Sequence, residues 1–210
     1  MLRDIRTNYQ KDELSEDSIL ENPFRQFVVW LDDAINEKIP EPTAMVLSTL
    51  DQSGNPESRV VLLKELTSEG FIFFTNYDSK KGKQISVNNH VSIVFFWSEA
   101  ERQVRIKGVA EKISEKDSNT YFLSRPLESQ LGAWSSPQSQ RIESREILDD
   151  NYSHYEEYFQ KHEIKKPPHW GGFLIRPVYF EFWQGRPNRL HDRIEYVLSD
   201  NEWIINRLAP

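Results

Sequence analysis

Cysteine is absent from this 210-residue sequence, and long apolar runs are absent as well. The first absence excludes disulfide bonds, thiolate metal sites and cysteine nucleophiles, and it fits a reducing compartment. The second argues against a membrane-spanning helix, which needs about 20 consecutive apolar residues. The N-terminal segment MLRDIRTNYQKDELSED is charged and lacks the apolar stretch of a signal peptide. We therefore expect a cytoplasmic protein.

Basic residues are in the minority, with 26 Lys and Arg against 33 Asp and Glu, which gives a net charge of -7. Such a chain has no general affinity for nucleic acid or for an anionic membrane, so neither is an expected partner. Any basic cluster must be local and suited to a small anion. The motifs of dinucleotide-binding folds, P-loops and serine hydrolases are missing, and the histidines have no metal-ligand spacing. No metal site is expected.

The composition, with 38% hydrophobic residues, is that of a globular chain with one core. Residues 1–20 are polar and acidic, which predicts a mobile N-terminal arm, and residues 21–210 are expected to form a single domain. Asn22 and Pro23 are typical of a helix start. Apolar residues at helical spacing then predict an amphipathic helix over 23–38.

The pattern changes to strands from Thr43 onwards. Strands are predicted at 44–50, 59–66, 71–75, 90–98 and 102–113, with a short helix between Lys80 and Asn88. This order predicts a five-stranded antiparallel meander that closes into a barrel and so removes its edges. The later elements are predicted as a helix from Ser114 to Pro126, polar turns over 127–140, a helix over 142–162, and strands at 172–182, 193–199 and 203–208. The predicted fold class is α+β, an antiparallel β-barrel with peripheral helices.

Polar side chains are densest between Glu181 and Arg193, in the segment EFWQGRPNRLHDR. His191 lies between Arg189 and Arg193, and like charge on both sides disfavours its protonation. Such a histidine suits neutral acid–base or hydrogen-bonding work near physiological pH. Arginine pairs are typical ligands of phosphate. A solvated loop has the same composition, so this segment alone does not decide between the two interpretations.

Arg59 and Lys64 lie five residues apart on one predicted strand, and so on opposite faces or at opposite ends of it. They suit either two separate anions or the ordinary protection of an edge strand. Lys80 and Lys81 stand at a predicted helix start, where backbone amides favour a phosphate. A solvated turn is the alternative there.

Tyr121, Arg125 and Ser129 step by four residues through a helix end, which places two hydroxyls and a guanidinium on one side. This arrangement suits a phosphate, although a core tyrosine with two surface neighbours has the same spacing.

Six sequence blocks, in this order, resemble the pyridoxine/pyridoxamine 5'-phosphate oxidases, a family of FMN-dependent enzymes with a split-barrel fold. The blocks are RVVLLK at 59–64, ERQVRIKG at 101–108, SRPLESQLGAW at 124–134, FWQG at 182–185, RLHDR at 189–193 and RLAP at 207–210. The resemblance extends from Arg6 to Pro210. It implies an FMN-binding antiparallel split β-barrel that oxidises pyridoxamine and pyridoxine 5'-phosphates to pyridoxal 5'-phosphate and reduces dioxygen to hydrogen peroxide.

The resemblance also implies roles for individual residues. The FMN-binding residues would be Arg59, Val60, Val61, Leu62, Leu63, Lys64, Phe74, Thr75, Lys80, Lys81, Gln103, Gln138, Ser139, Trp183 and Arg193. The substrate-binding residues would be Arg6, Tyr9, Lys64, Tyr121, Arg125, Ser129, Arg189, Leu190 and His191. His191 and Arg189 would be the catalytic residues. Family members bind FMN at a homodimer interface, so a homodimer is implied as well.

The chain departs from the family pattern at three positions. Lys80 stands where arginine is frequent, Phe74 where tyrosine is frequent, and Arg186 where a second glycine can occur. Lys80 keeps the charge but lacks the two-pronged geometry of arginine, which implies weaker FMN binding. Two other functions fit part of the pattern. Another split-barrel flavin enzyme has no need of the substrate-phosphate residues, and a non-catalytic binding module has no need of His191.

Overall fold

The first helix begins where the sequence predicts it. The computed structural model describes residues 1–4 and 7–210, and α1 spans Pro23–Asn36. The side chain of Asn22 accepts hydrogen bonds from the backbone N–H groups of Phe24 and Arg25. These bonds satisfy donors that a helix start otherwise leaves free. The predicted N-cap is therefore confirmed.

Nine strands form one antiparallel sheet in the part of the chain that the structure describes. They are β1 (Ala44–Leu50), β2 (Pro56–Leu62), β3 (Glu65–Leu66), β4 (Phe71–Asn76), β5 (His90–Trp97), β6 (Arg102–Lys112), β7 (Trp170–Gln184), β8 (Asp192–Ser199) and β9 (Glu202–Arg207). Hydrogen-bonded neighbours follow the order β2-β1-β5-β6-β7-β4-β3, with β8 paired to β7 and β9 to β8. Thus β2 and β3 lie at opposite ends of this order, although only Leu63 and Lys64 separate them in sequence. The three Cα-to-Cα steps from Leu62 to Glu65 span about 11 Å at most, so the sheet curls until its ends lie close together.

The predicted five-stranded meander is wrong in its strand neighbours. β4 pairs with β7, and β5 pairs with β1 and β6. In sequence, β4 and β5 are joined by α2 (Lys80–Val87) rather than by a hairpin. The strand predicted over 59–66 is also divided, because β2 ends at Leu62 and β3 pairs with β4 instead of β1. Alternation along a strand predicts which face is buried, whereas the choice of neighbour depends on the whole fold.

The core lies between α1 and the curled sheet. Phe27 packs against Phe71 and Phe95, with ring centroids 4.9 Å apart in each pair, and against Trp97 at 6.0 Å. All four side chains are buried. Aromatic pairs of this kind contribute about 0.5–1.5 kcal/mol each beyond the burial of their area, so they fix α1 firmly on the sheet.

Three further helices lie outside the barrel: α3 (Glu115–Ser124), α4 (Leu127–Ser135) and α5 (Glu146–Phe159). Ser114 caps α3 as predicted, because its hydroxyl accepts the backbone N–H of Asp117 at 3.0 Å. Among the residues that the structure describes, no helix is both long and apolar enough to cross a membrane.

The polar turns predicted over 127–140 are wrong for most of that range, since α4 occupies it. Trp134 of α4 packs against Tyr155 and Phe159 of α5, with centroids 5.4 and 5.6 Å apart. Serine, glutamine and glycine weaken the helical signal of this segment in the sequence. Packing between the two helices outweighs that local preference.

The N-terminal segment lies along the barrel where the structure describes it. The backbone N–H groups of Gln10 and Lys11 donate to the carboxylate of Glu101 at 2.8 and 2.9 Å. Leu14 is buried in the core cluster, and Arg207 of β9 forms an ion pair with Glu16. These contacts place the arm across one side of the sheet, and its mobility stays a prediction.

Candidate active site

A cleft of about 510 Å³, here called the cationic cleft, is bordered by β2, β4, α2, α4 and the junction between α3 and α4. It is lined by Arg59, Val60, Val61, Leu62, Lys64, Phe74, Thr75, Asn76, Lys81, Tyr121, Arg125, Ser129, Gly132, Ala133, Ser136, Gln138 and Trp170. Arg59 lies on β2 and Lys64 follows shortly after the end of that strand, and both line the same cleft. Four basic side chains therefore surround one cavity.

The guanidinium of Arg59 is held in place by hydrogen bonds to polar groups beneath it. Its Nη1 donates to Thr49 Oγ1 at 2.5 Å and to the carbonyl of Leu47 at 3.3 Å, and its Nη2 donates to Gln84 Oε1 at 3.3 Å. Thr49 and Gln84 are themselves buried and hydrogen-bonded to each other at 2.6 Å. Burial lowers the pKa of Arg59, partly opposed by the charge of Glu57. The guanidinium is thus oriented before any anion binds.

Lys81 enters the cleft from the first turn of α2. Its Nζ donates to Thr75 Oγ1 and to Gln138 Oε1, both at 3.1 Å. Burial lowers the pKa of Lys81, and the nearby charge of Arg59 lowers it further. The helix reaches this position because residue 82 is glycine, where a Cβ would lie 2.3 Å from the carbonyl oxygen of Tyr77.

Arg125 stands at the junction between α3 and α4. Its guanidinium lies over the ring of Trp170, 4.8 Å from the centroid, and its backbone carbonyl accepts Gln130 Nε2 at 2.8 Å. Next to it, the ring of Tyr121 stacks on Phe74 with centroids 3.8 Å apart. Nη1 of Arg125 is buried and has no hydrogen-bond partner among the described residues. Burial lowers the pKa of Arg125, and an anion in the cleft would satisfy this donor.

A second group of predicted residues lies elsewhere. Gln103 of β6, Trp183 of β7 and Arg193 of β8 are register partners across three neighbouring strands. Tyr9 and His191 pack around Trp183, with ring centroids 5.6 and 4.6 Å from it. These five residues, together with Arg189 and Leu190 of the following turn, are called here the histidine cluster.

His191 has a defined hydrogen-bonding state. Its Nδ1 accepts the backbone N–H of Arg186 at 3.1 Å, so the proton of the neutral ring is on Nε2. Burial lowers the pKa of His191 from its ordinary value of 6.5, Arg189 lowers it further, and Asp192 opposes them. The predicted effect of neighbouring arginine is therefore present, but burial is the larger cause. His191, Arg189 and Tyr9 border a cavity of about 710 Å³.

The remaining predicted residues lie at separate positions in the structure. Leu63 is directed into the hydrophobic core, Lys80 forms an ion pair with Glu57 beside the cleft, and Ser139 is exposed with a left-handed backbone at φ 69°. Arg193 donates to the buried carboxylate of Glu181 at 2.9 Å and to the carbonyl of Ala209 at 2.7 Å. The predicted contact of Arg6 lies outside the described residues.

Several residues that line the cationic cleft are missed by the sequence reasoning. They are Asn76, Gly132, Ala133, Ser136 and Trp170. The block SRPLESQLGAW contains two of them, so small residues next to Ser129 are a signal that could have found part of the wall. Trp170 has no such signal, because it precedes the predicted start of its strand.

The cationic cleft and the cavity at the histidine cluster share none of their described lining residues. The fold and the cleft define a split-barrel protein with a cationic site. The family model described as "Pyridoxamine 5'-phosphate oxidase" matches residues 31–159, and the one described as "Pyridoxine 5'-phosphate oxidase C-terminal dimerisation region" matches residues 170–210. The chain therefore belongs to the pyridoxamine 5'-phosphate oxidase family, as the resemblance predicted.

Curated relatives match along the whole chain. A pyridoxine/pyridoxamine 5'-phosphate oxidase of Synechocystis sp. is 50% identical over 209 residues, covering 100% of this chain and 98% of the relative. One from Neisseria meningitidis serogroup C is 48% identical over 209 residues, covering 100% and 99%.

Solved structures show the same architecture. The crystal structure of PhzG from Burkholderia lata 383, in complex with tetrahydrophenazine-1-carboxylic acid, has a TM-score of 0.88 at 27% identity and covers 95% of this chain and 98% of that one. A pyridoxamine 5'-phosphate oxidase-related, FMN-binding protein from Nostoc punctiforme has a TM-score of 0.72 at 18% identity, covering 91% and 100%. The predicted α+β split barrel with peripheral helices is confirmed.

Proposed function

We propose that the protein oxidises pyridoxamine and pyridoxine 5'-phosphates to pyridoxal 5'-phosphate with bound FMN, and that dioxygen is reduced to hydrogen peroxide. With pyridoxamine 5'-phosphate, water supplies the aldehyde oxygen and the amino group leaves as ammonia. The observation that carries this proposal is the cationic cleft, where two pairs of basic side chains surround one cavity: Arg59 with Lys81, and Lys64 with Arg125. Two phosphates, each with about 1.5–2 negative charges, explain such a concentration of positive charge in an acidic protein. The names of the full-length relatives support the same activity.

The residues present fit FMN. Arg59, Lys81 and the first turn of α2 would hold its phosphate, because a helix start combines free N–H groups with a favourable dipole. Val60, Val61, Leu62 and Thr75 would border the flavin ring, with Gln138 as a polar partner. When bound, FMN would accept the two electrons that leave the substrate and would pass them to dioxygen.

The substrate phosphate would be bound by Lys64, Tyr121, Arg125 and Ser129. The unpartnered Nη1 of Arg125 fits this role, since a phosphate oxygen satisfies a buried guanidinium donor. Anchoring the phosphate orients the pyridine ring and so its C4' carbon, which lowers the entropic part of the barrier.

His191 and Arg189 would act at C4'. His191 is neutral near pH 7 and presents Nε2–H, because Nδ1 accepts the N–H of Arg186. It can therefore donate a hydrogen bond to the amine or hydroxyl of the substrate, while Arg189 would help to orient the same substituent. Trp183, Gln103 and Arg193 would complete the flavin environment.

These two halves would come together in a homodimer, with the histidine cluster of one subunit completing the cationic cleft of the other. The match to a dimerisation region supports this arrangement. Exposed apolar residues on the strands between the halves support it as well: Val46, Val60, Phe96 and Val178. An apolar face of this kind is typical of a subunit interface. Residues 1–20 would form an arm over the single domain.

The test is a visible spectrum of the purified protein, followed by aerobic addition of pyridoxamine 5'-phosphate, with pyridoxal 5'-phosphate and hydrogen peroxide both assayed. We expect flavin absorption bands and equal amounts of pyridoxal 5'-phosphate and hydrogen peroxide. Bound flavin without turnover of either B6 phosphate would contradict the proposal and favour a binding module or another substrate.

A further inference from the structure

A carboxylate lies against the proposed FMN-phosphate cations. Glu57 precedes Arg59 by two residues on β2, so both side chains are on the same face of the strand. Glu57 forms an ion pair with Lys80 and lies 3.6 Å from Nη2 of Arg59. Its Oε2 also accepts Gln84 Nε2 at 2.9 Å. One negative charge thus contacts both Arg59, which is assigned to the FMN phosphate, and Lys80, which the family resemblance places in the FMN site.

The carboxylate of Glu57 is not needed to hold Arg59 in place. Thr49, Gln84 and the carbonyl of Leu47 already fix the guanidinium with hydrogen bonds of 2.5–3.3 Å, all shorter than its contact with Glu57. Lys80 is different, because its side chain is 62% exposed and Glu57 is its ion-pair partner among the described residues. Glu57 therefore directs Lys80 towards β2 and adds negative charge beside a site for a phosphate dianion.

We propose that Glu57 is a counter-ion built into the cleft that competes with the FMN phosphate for Lys80 and Arg59. The inference rests on the proposed FMN site. In the flavin-free protein, Glu57 offsets the mutual repulsion of three neighbouring cations. When the phosphate is present, the same carboxylate repels it and holds Lys80 away, so the preference for a phosphorylated flavin is weaker than the cations alone would give.

The preference for FMN over riboflavin isolates this effect, since the two flavins differ only by the phosphate. Purified FMN-loaded protein is equilibrated with mixtures of FMN and riboflavin, and the bound flavins are identified after the free ones are removed. In Glu57→Gln, which keeps the size and the hydrogen bond to Gln84, we expect the preference to rise about fivefold. An unchanged or lower preference would overturn the proposal.

Two controls complete the experiment. Glu69→Gln removes a carboxylate that pairs with Arg176 beside a different cavity, and it should leave the preference unchanged. Lys80→Gln should reduce the preference for FMN more in the Glu57→Gln protein than in wild type. Without the Glu57 carboxylate, Lys80 is free to bind the phosphate, so its loss has a larger effect. If Lys80→Gln reduced the preference for FMN equally in both proteins, the proposal that Glu57 and the phosphate compete for Lys80 would be overturned. Failure of wild type to bind FMN would instead contradict the proposed function.

Discussion

The cationic cleft and the histidine cluster are built in different ways. In the cleft, Arg59 is held by the buried groups of Thr49 and Gln84, and Lys81 by a helix packed through Gly82. The histidine cluster depends on a turn with left-handed backbone at Asn188 and Arg189, at φ 58° and 64°, and on an N-terminal arm that is joined to this turn by the ion pair between Glu13 and Arg186. Rigid elements suit the tight binding of fixed charges. A turn and an arm suit groups that close over a substrate after it binds.

The strongest test of this comparison is whether the two halves belong to different subunits. Co-expression of Arg125→Ala and His191→Ala chains would give mixed dimers in which an intact cleft meets an intact histidine cluster in one of two sites. Random pairing makes about half of the dimers mixed, so activity should return from near zero to about a quarter of the wild-type value. The measurement is the initial rate of pyridoxal 5'-phosphate formation at a substrate concentration well below the KM of Arg125→Ala, where that variant alone is nearly inactive.

The matched control pairs Arg125→Ala with Lys64→Ala. Both changes lie in the cleft, so every site in every dimer carries one of them, and no recovery is expected. Recovery in this control, or its absence in the first pairing, would show that the division of the site between subunits is wrong.

A smaller effect is expected from Arg125→Ala alone on substrate binding. Charge-assisted hydrogen bonds are worth about 1.5–3 kcal/mol, which corresponds to a rise in KM of about ten- to a hundredfold with kcat less affected. Steady-state kinetics with pyridoxamine 5'-phosphate measure both values. Arg125→Lys should recover part of the loss, since it keeps the charge without the fork. A fall in kcat at unchanged KM would place Arg125 in the chemical step instead.

The difference between the two halves also explains what the sequence could predict. Helix caps at Asn22 and Ser114 and the strand pattern are local signals, and the structure has them where expected. The pairing of β4 with β7 joins segments about a hundred residues apart, and α4 depends on the contact of Trp134 with α5. Neither feature can be predicted from the local sequence pattern, because both arise from packing in the complete fold.

Within the site, the sequence indicates the ligand-facing charges but not their supports. Arg59, Lys81 and Arg125 stand out by charge and spacing, and the family resemblance extends to each. Thr49 and Glu57 have no pattern of their own, since a threonine and a glutamate are ordinary residues on a strand. The pairing of β1 with β2 brings Thr49 beside Arg59, whereas Glu57 lies beside it as the residue two positions earlier on the same strand.

The pKa of His191 provides a separate test of the histidine cluster. Its pKa lies below 6.5, so the ring should stay neutral as the pH falls through that value, and activity that needs neutral His191 should decline only at lower pH. In Arg189→Gln the pKa should rise, because the like charge is removed while burial remains. NMR of the His191 ring in both proteins measures this without relying on activity. Arg145→Gln is the control, and an unchanged pKa in Arg189→Gln would leave burial as the sole cause.

The smallest effect is expected where the arm meets the turn. The side chain of Arg186 pairs with Glu13 at 2.9 Å and contacts the carbonyl of Asp12 at 3.3 Å. Exposed pairs of this kind contribute about 0–1 kcal/mol, so Arg186→Gly should barely change the thermal unfolding of the protein. It should nevertheless speed protease cleavage within residues 7–20, since one tether of the arm is lost.

Arg141→Gly, in the exposed loop before α5, is the control for general loss of an arginine and should not affect cleavage of the arm. The backbone N–H that Arg186 donates to His191 is kept in glycine, so the titration of His191 should also be unchanged. A shifted titration would mean that the side chain of Arg186 holds the turn in place. The arm and the histidine cluster would then behave as one rigid unit, and their contrast with the cationic cleft would be lost.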